Sequence, residues 1–172
     1  HELGRKVAVH VDGTPEFLHA AIAAGADTIE HGPLDEKAIE LMVQHGTSYT
    51  PTLMAAKMID YRLDDAMKGM NLAYRAGVPV IFGTDLGISS PEQIPDEFGL
   101  MVEAGMPPAQ VLRAATLNAA MALGQGDRLG SIEAGKVADI IATKSDPLEN
   151  IKILGDADSG TFVMKEGSIV KQ

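Results

Sequence analysis

The sequence predicts an α/β protein: part of a parallel (β/α) barrel, followed by a small antiparallel β element. Three observations predict it. Short apolar runs alternate with helix-sized segments; three of those runs end in His10, His31 or Asp85 directly before turn residues; and near Gly124 the helical texture gives way to short strands joined by glycine turns. A parallel barrel builds its active site at the carboxyl ends of its strands, where a ligand-type side chain followed by a break would stand.

The elements follow in order. A strand over 7–10 ends at His10, and Thr14 and Pro15 then suit the N-cap and first position of a helix over 16–24, closed by Gly25. The next strand, 28–31, ends at His31 before Gly32-Pro33. Asp35 caps a helix reaching His45, with Gly46 as its stop. A third strand over 48–53 is made irregular by Pro51. A long helix is expected over 58–76 before Gly77, where Met54, Met58, Met67 and Met70 recur at near-helical spacing and should pack as core. The fourth strand, 80–85, carries Asp85, and helices over 95–104 and 108–123 follow. These strands are apolar throughout, as in sheets covered on both faces. Beyond them, strands are expected over 128–132, 138–143, 161–165 and 168–171, with turns at Gly135 and at Glu166-Gly167. Residues 1–124 would form the barrel part and residues 125–172 the β part.

Composition bounds the function. The chain has 172 residues, 22% of them charged, and no cysteine, which excludes disulfides, thiolate metal sites and cysteine nucleophiles. A formal charge of −10 argues against nucleic acid, whose phosphates require a cationic footprint. Divalent cations and neutral or cationic substrates remain compatible with it. No apolar run approaches the ~20 residues of a membrane span, and no signal-peptide pattern opens the chain. A cytoplasmic protein is expected. The start at His1 suggests a fragment or a processed product.

Side chains alternate along a strand, so Ala8 with His10, Ile29 with His31 and Gly83 with Asp85 should share inward faces. The three ligand candidates would then converge at one mouth, and Glu30 would point away. Two imidazoles and a carboxylate suit Zn²⁺, Mn²⁺, Co²⁺ or Fe²⁺. Such an ion activates water for hydrolysis, and Asp85 could both bind it and move the proton. A lone strand histidine is more often structural; the three together favour a ligand set. His1, His19 and His45 are expected on the surface. The stretch Gly130 to Lys136 imitates a phosphate loop, but Val137 replaces the required hydroxyl. Gly124-Gln125-Gly126 lacks the strand-before, helix-after setting of a dinucleotide site.

Longer motifs carry a resemblance: VAVHVDG, AAIAAGADTIEHG, TPTL, AGVPVIFGTDLG, EAGMPPAQVLRAAT, and RLGSIEAGKVADI followed by SDPLENI and VMKEGSIV. Over its whole length the chain resembles the C-terminal half of amidohydrolase-superfamily enzymes, closest to imidazolonepropionase-like and prolidase-like (Xaa-Pro dipeptidase) members. The resemblance implies the last four βα units of a TIM-type (β/α)8 metallo-hydrolase barrel, then strands of a small composite β-sandwich. It implies His10 and His31 as metal ligands on strands five and six, and Asp85 as the strand-eight ligand and general base. The cofactor would be a divalent metal, zinc foremost, with one or two ions in the complete enzyme. The family's His-x-His pair and carboxylated lysine do not occur in this chain, and no histidine follows Asp85 in the loop 86–93.

The resulting expectation is metal-dependent hydrolysis of carbon–nitrogen bonds in amides, cyclic amides or dipeptide-like small molecules. Its alternatives are a catalytically silent structural fragment, and lactone or phosphoester hydrolysis on the same scaffold. Open strand edges also predict pairing with a missing N-terminal half or self-association.

Overall fold

Three short parallel strands set the frame of the computed structural model, which describes residues 1–59, 62–156 and 159–172. They are β1 (Ala8–His10), β2 (Thr28–Glu30) and β3 (Ser48–Thr50), hydrogen-bonded in that order. The register aligns Val9 with Ile29 and Tyr49, and His10 with Glu30 and Thr50. Val80 bridges to Tyr49 in parallel, extending the sheet by one strand-like segment. Tyr49 N–H donates to the Pro79 carbonyl at 3.0 Å, and Ile81 N–H to the Tyr49 carbonyl at 2.8 Å.

Each strand leads into a helix whose ends the sequence encodes. Helix α1 (Pro15–Ala23) starts on Pro15, and α2 (Glu36–His45) starts on Asp35, whose carboxylate accepts from Ala38 N–H at 2.7 Å. Gly46 closes α2 at φ 70°, a left-handed conformation that costs glycine no Cβ clash. After β3 come α3 (Leu53–Met58) and α4 (Leu63–Ala76). Next are α5 (Asp96–Glu103), α6 (Pro108–Arg113) and α7 (Ala119–Ala122), the last two joined by a π turn over Ala114–Asn118.

One sheet face is the core. Ile29, Tyr49 and Val80 are buried there against Leu18 and Ile22 of α1, Met42 of α2 and Met70 of α4. Full burial of such a side chain is worth about 1.5–3 kcal/mol, so each member of this layer contributes substantially to the stability of the parallel part. The opposite face carries His10, Glu30 and Thr50.

The tail forms a separate antiparallel sheet, β4 (Ile140–Thr143), β5 (Gly160–Lys165) and β6 (Ser168–Lys171), in that order. Glu166 and Gly167 join β5 to β6 with φ values of 50° and 78°, the two-residue turn that fits the twist of a hairpin. Among the described residues, no helix is long and apolar enough to cross a membrane.

Several expectations need correction. The strand expected over 48–53 stops at Thr50, because Pro51 cannot donate to the ladder and Leu53 already begins α3. The single helix expected over 58–76 is two helices; residues 60 and 61 lie outside the described ones. Of the four methionines, Met54 and Met70 are core whereas Met58 is exposed. The strand at 80–85 is reduced to the bridge at Val80, because its free side faces helix rather than strand: Phe82 N–H donates to the Ala114 carbonyl at 3.2 Å. Residues 128–132 form no strand. Arg128 and Leu129 turn back onto the Gln125 carbonyl, and Gly130 lies against the helix so closely that a Cβ would sit 2.8 Å from Leu117 Cα. His19 is not a free surface residue: its Nε2 donates to Asp35 at 2.9 Å and ties α1 to the cap of α2.

Candidate active site

Among the described residues, five other than glycine have positive φ, and four of them line a single cavity: His31 (62°), Thr52 (48°), Arg62 (47°) and Asp85 (53°). Histidine and aspartate enter the left-handed region more readily than most residues, whereas a β-branched threonine there is strained. Strain of this kind costs of order 1–3 kcal/mol and gathers at functional sites.

The cavity, about 220 Å³, also receives His10 from the end of β1. The sequence-predicted trio therefore shares one cavity. The His10 and His31 rings meet edge to face, with centroids 5.0 Å apart, and His31 Nε2 stands 3.8 Å from Asp85 Oδ2. Asp12 lies beside His10, and the Arg62–Asp65 ion pair, 2.6 Å long, forms part of the wall. The rest of the lining is mostly apolar, including Val11, Pro33, Ala55, Ala56, Ile59 and Ile88.

The route by which His31 reaches the cavity departs from simple alternation. Ile29 lies on the helix-facing side with Val9 and Tyr49, so strict alternation would have sent His31 after it. The left-handed turn at His31 breaks that phase. Glu30, expected to point away, occupies the same sheet face as His10 and accepts from Thr28 Oγ1 at 2.5 Å.

Neighbouring groups fix the orientation of the site. His31 Nδ1 meets Thr52 Oγ1 at 2.5 Å. When Nδ1 carries the hydrogen and donates it, Nε2 keeps its lone pair free. Tyr49 donates its hydroxyl to the Gly32 carbonyl at 3.3 Å. Burial holds the His31 imidazole below its ordinary 6.5, against the opposing pull of Asp85, so the ring is neutral at pH 7 as a ligand must be. The loop after Asp85 is tied by Ser89 Oγ donating to the Thr84 carbonyl at 3.1 Å and by Ile88 N–H on the Asp85 carbonyl at 3.1 Å.

The segment that carries Asp85 hangs partly on a helix. The π turn places the Ala114 carbonyl opposite Phe82 N–H, and Asn118 Nδ2 donates to the Val80 carbonyl at 2.9 Å. Asn118→Ala should cost about 1 kcal/mol through that lost bond. Urea denaturation measures it; an unchanged midpoint would show that the side chain does not hold the segment.

The donor set fits a divalent metal. Two imidazoles and a carboxylate are the donors zinc prefers, and two donors each about 2.1 Å from one tetrahedral ion stand roughly 3.4 Å apart. The His31–Asp85 spacing is near that value and too long for a hydrogen bond. Among the described residues, no group of three or more His, Asp or Glu side chains is closed to metal-holding distances.

A family model for the amidohydrolase family matches residues 1–170. The chain belongs to that family. Ochratoxinase of Aspergillus niger is 31% identical over 185 residues, covering 97% of this chain and 38% of the relative. Imidazolonepropionase of Solibacter usitatus (strain Ellin6076) is 30% identical over 175 residues, covering 98% and 41%. Among solved structures, a Xaa-Pro dipeptidase with methionine bound in its active site superposes with a TM-score of 0.91 at 36% identity, covering 99% of this chain and 46% of that one. The chain thus spans less than half the length of these relatives. Family membership agrees with the α/β architecture and with the imidazolonepropionase-like and prolidase-like motifs.

Sequence reading missed Thr52, Tyr49 and Arg62 as cavity residues. Thr52 stood within the TPTL motif, but nothing in the sequence marks its left-handed turn or its bond to His31.

Proposed function

We propose that this amidohydrolase-family chain carries part of a metal-dependent centre that hydrolyses carbon–nitrogen bonds in amide, cyclic amide or dipeptide-like molecules. The observation that carries the reading is the meeting of His10, His31 and Asp85, from three separate segments, around one mostly apolar cavity. Residues 1–124 are read as the last four βα units of a (β/α)8 barrel and residues 125–172 as strands of a β-sandwich. The remaining ligands would come from outside this chain, which accords with the share of each relative it covers.

In this reading His10, His31 and Asp85 would hold a divalent ion, zinc foremost. When bound, the ion supplies Lewis acidity to the substrate carbonyl and to the attacking water. Asp85 accepts a proton from that water as the new carbon–oxygen bond forms. It then delivers the proton to the departing nitrogen as the carbon–nitrogen bond breaks. Thr52 keeps the His31 ring angled toward the cavity, and the apolar wall limits competing water. The ochratoxinase, imidazolonepropionase and Xaa-Pro dipeptidase names favour carbon–nitrogen bonds over lactones or phosphoesters.

The test presents Xaa-Pro dipeptides, hydantoin-like rings, lactones and phosphoesters to the purified protein with zinc, before and after chelation. Chelator-sensitive cleavage confined to the carbon–nitrogen substrates is expected. Cleavage of lactones or phosphoesters alone would overturn the choice of bond. Metal analysis of the 172-residue chain by itself separates a retained site from a silent fragment.

A further inference from the structure

We propose that Glu97 is a positioning residue of this site: its buried carboxylate holds the turn at Thr52 and, through the Thr52 hydroxyl, the ring of His31. The inference rests on the reading of His31 as a ligand and extends it to a residue that touches neither ion nor substrate.

Glu97 lies on α5 with 0% of its surface exposed. A carboxylate is rarely buried so completely unless its oxygens are satisfied. Both are: Oε1 accepts from Leu53 N–H at 2.9 Å and Oε2 from Met54 N–H at 2.6 Å. Those two amides open α3 and have no partner within their own helix. An apolar side chain at position 97 would leave both buried and unsatisfied. The bonds therefore clamp the backbone immediately after Thr52, from more than 40 positions away in the chain.

Thr52 needs such a clamp. It is 4% exposed and sits at φ 48°, where its branched Cβ is crowded and where a residue persists only if its surroundings over-determine it. Thr52 itself uses no side-chain cap on α3; its hydroxyl is turned the other way, onto His31 Nδ1. The carboxylate of Glu97 takes the place that a capping hydroxyl would fill, and this frees Thr52 for the imidazole. A threonine hydroxyl can donate or accept; accepting from Nδ1–H, it holds the tautomer whose Nε2 lone pair is left free for a metal. The path runs from Glu97 through the amides of residues 53 and 54 to Thr52, and from Thr52 to His31.

The experiment compares uniformly 15N-labelled wild type with Glu97→Gln, reading the two ring nitrogens of His31 at a pH where the ring is neutral. Gln keeps the volume but presents an amide nitrogen that cannot accept one of the two N–H groups. Wild-type His31 should show one tautomer. In Glu97→Gln the two nitrogen shifts should move toward each other, and zinc affinity should fall about 10- to 100-fold. Unchanged His31 shifts in a variant with a native backbone spectrum would overturn the proposal. Thr52→Val removes only the hydroxyl and must reproduce the His31 change; if it does not, the path is refuted. Should Glu97→Gln fail to fold, Glu97→Asp, one methylene short of the amides, is read in the same way. Zinc added to wild type must shift the His31 signals; if it does not, the ligand reading fails, while the tautomer comparison still decides the clamp.

Discussion

Asp85→Asn is expected to lower kcat by about 100- to 10,000-fold while the protein stays folded, the range associated with losing a general acid–base group. The amide has nearly the carboxylate's size and can still offer one oxygen, but it cannot take the proton of an attacking water or return it to a leaving nitrogen. Asn is also the substitution best suited to this backbone. Asp85 sits at φ 53°, where Asn is tolerated as readily as Asp. A loss of activity therefore reports chemistry rather than strain. Steady-state kinetics alongside a thermal melt make the measurement. A kcat within twofold of wild type, with an unaltered melt, would remove Asp85 from the proton path.

The second large effect concerns pH and stability. Burial pushes the Glu97 carboxyl up from its ordinary 4.5 to about 7, and the two backbone N–H groups that favour its ionised form restrain it from rising further. The folded protein thus holds this proton more tightly than the unfolded chain. The associated stability is complete below about pH 4.5 and is lost as pH rises through about 7. At 1.36 kcal/mol per pH unit between the two values, raising the pH from 5 to 8 should cost roughly 2–3 kcal/mol. Urea midpoints across that range measure the slope. In Glu97→Gln, which has nothing to titrate there, the slope should flatten by that amount. Parallel slopes for wild type and variant would show that Glu97 does not titrate in this window.

His10, His31 and Asp85 were legible because each closes an apolar run and is followed by a turn, a pattern local enough to read residue by residue. The helix ends were legible for the same reason: Pro15, Asp35, Gly46 and Gly77 each act through their own dihedrals or their own side chain. The phase of His31 was not. Alternation assumes an extended backbone, and the left-handed turn at residue 31 violates it. The strand expected at 128–132 failed similarly, because the close approach of Gly130 to the helix outweighs local β propensity.

By itself the sequence determined the βα order, the position of the capping residues, the lack of any cysteine among these 172 residues and the identity of the ligand candidates. These depend on neighbours in the chain. Only the tertiary structure decided that Glu30 shares a face with His10, that a helix supports the segment leading to Asp85, and that Glu97 and Thr52 stand behind His31. Those relations join residues 20 to more than 40 positions apart, and they exist only once burial has removed water as the competing hydrogen-bond partner.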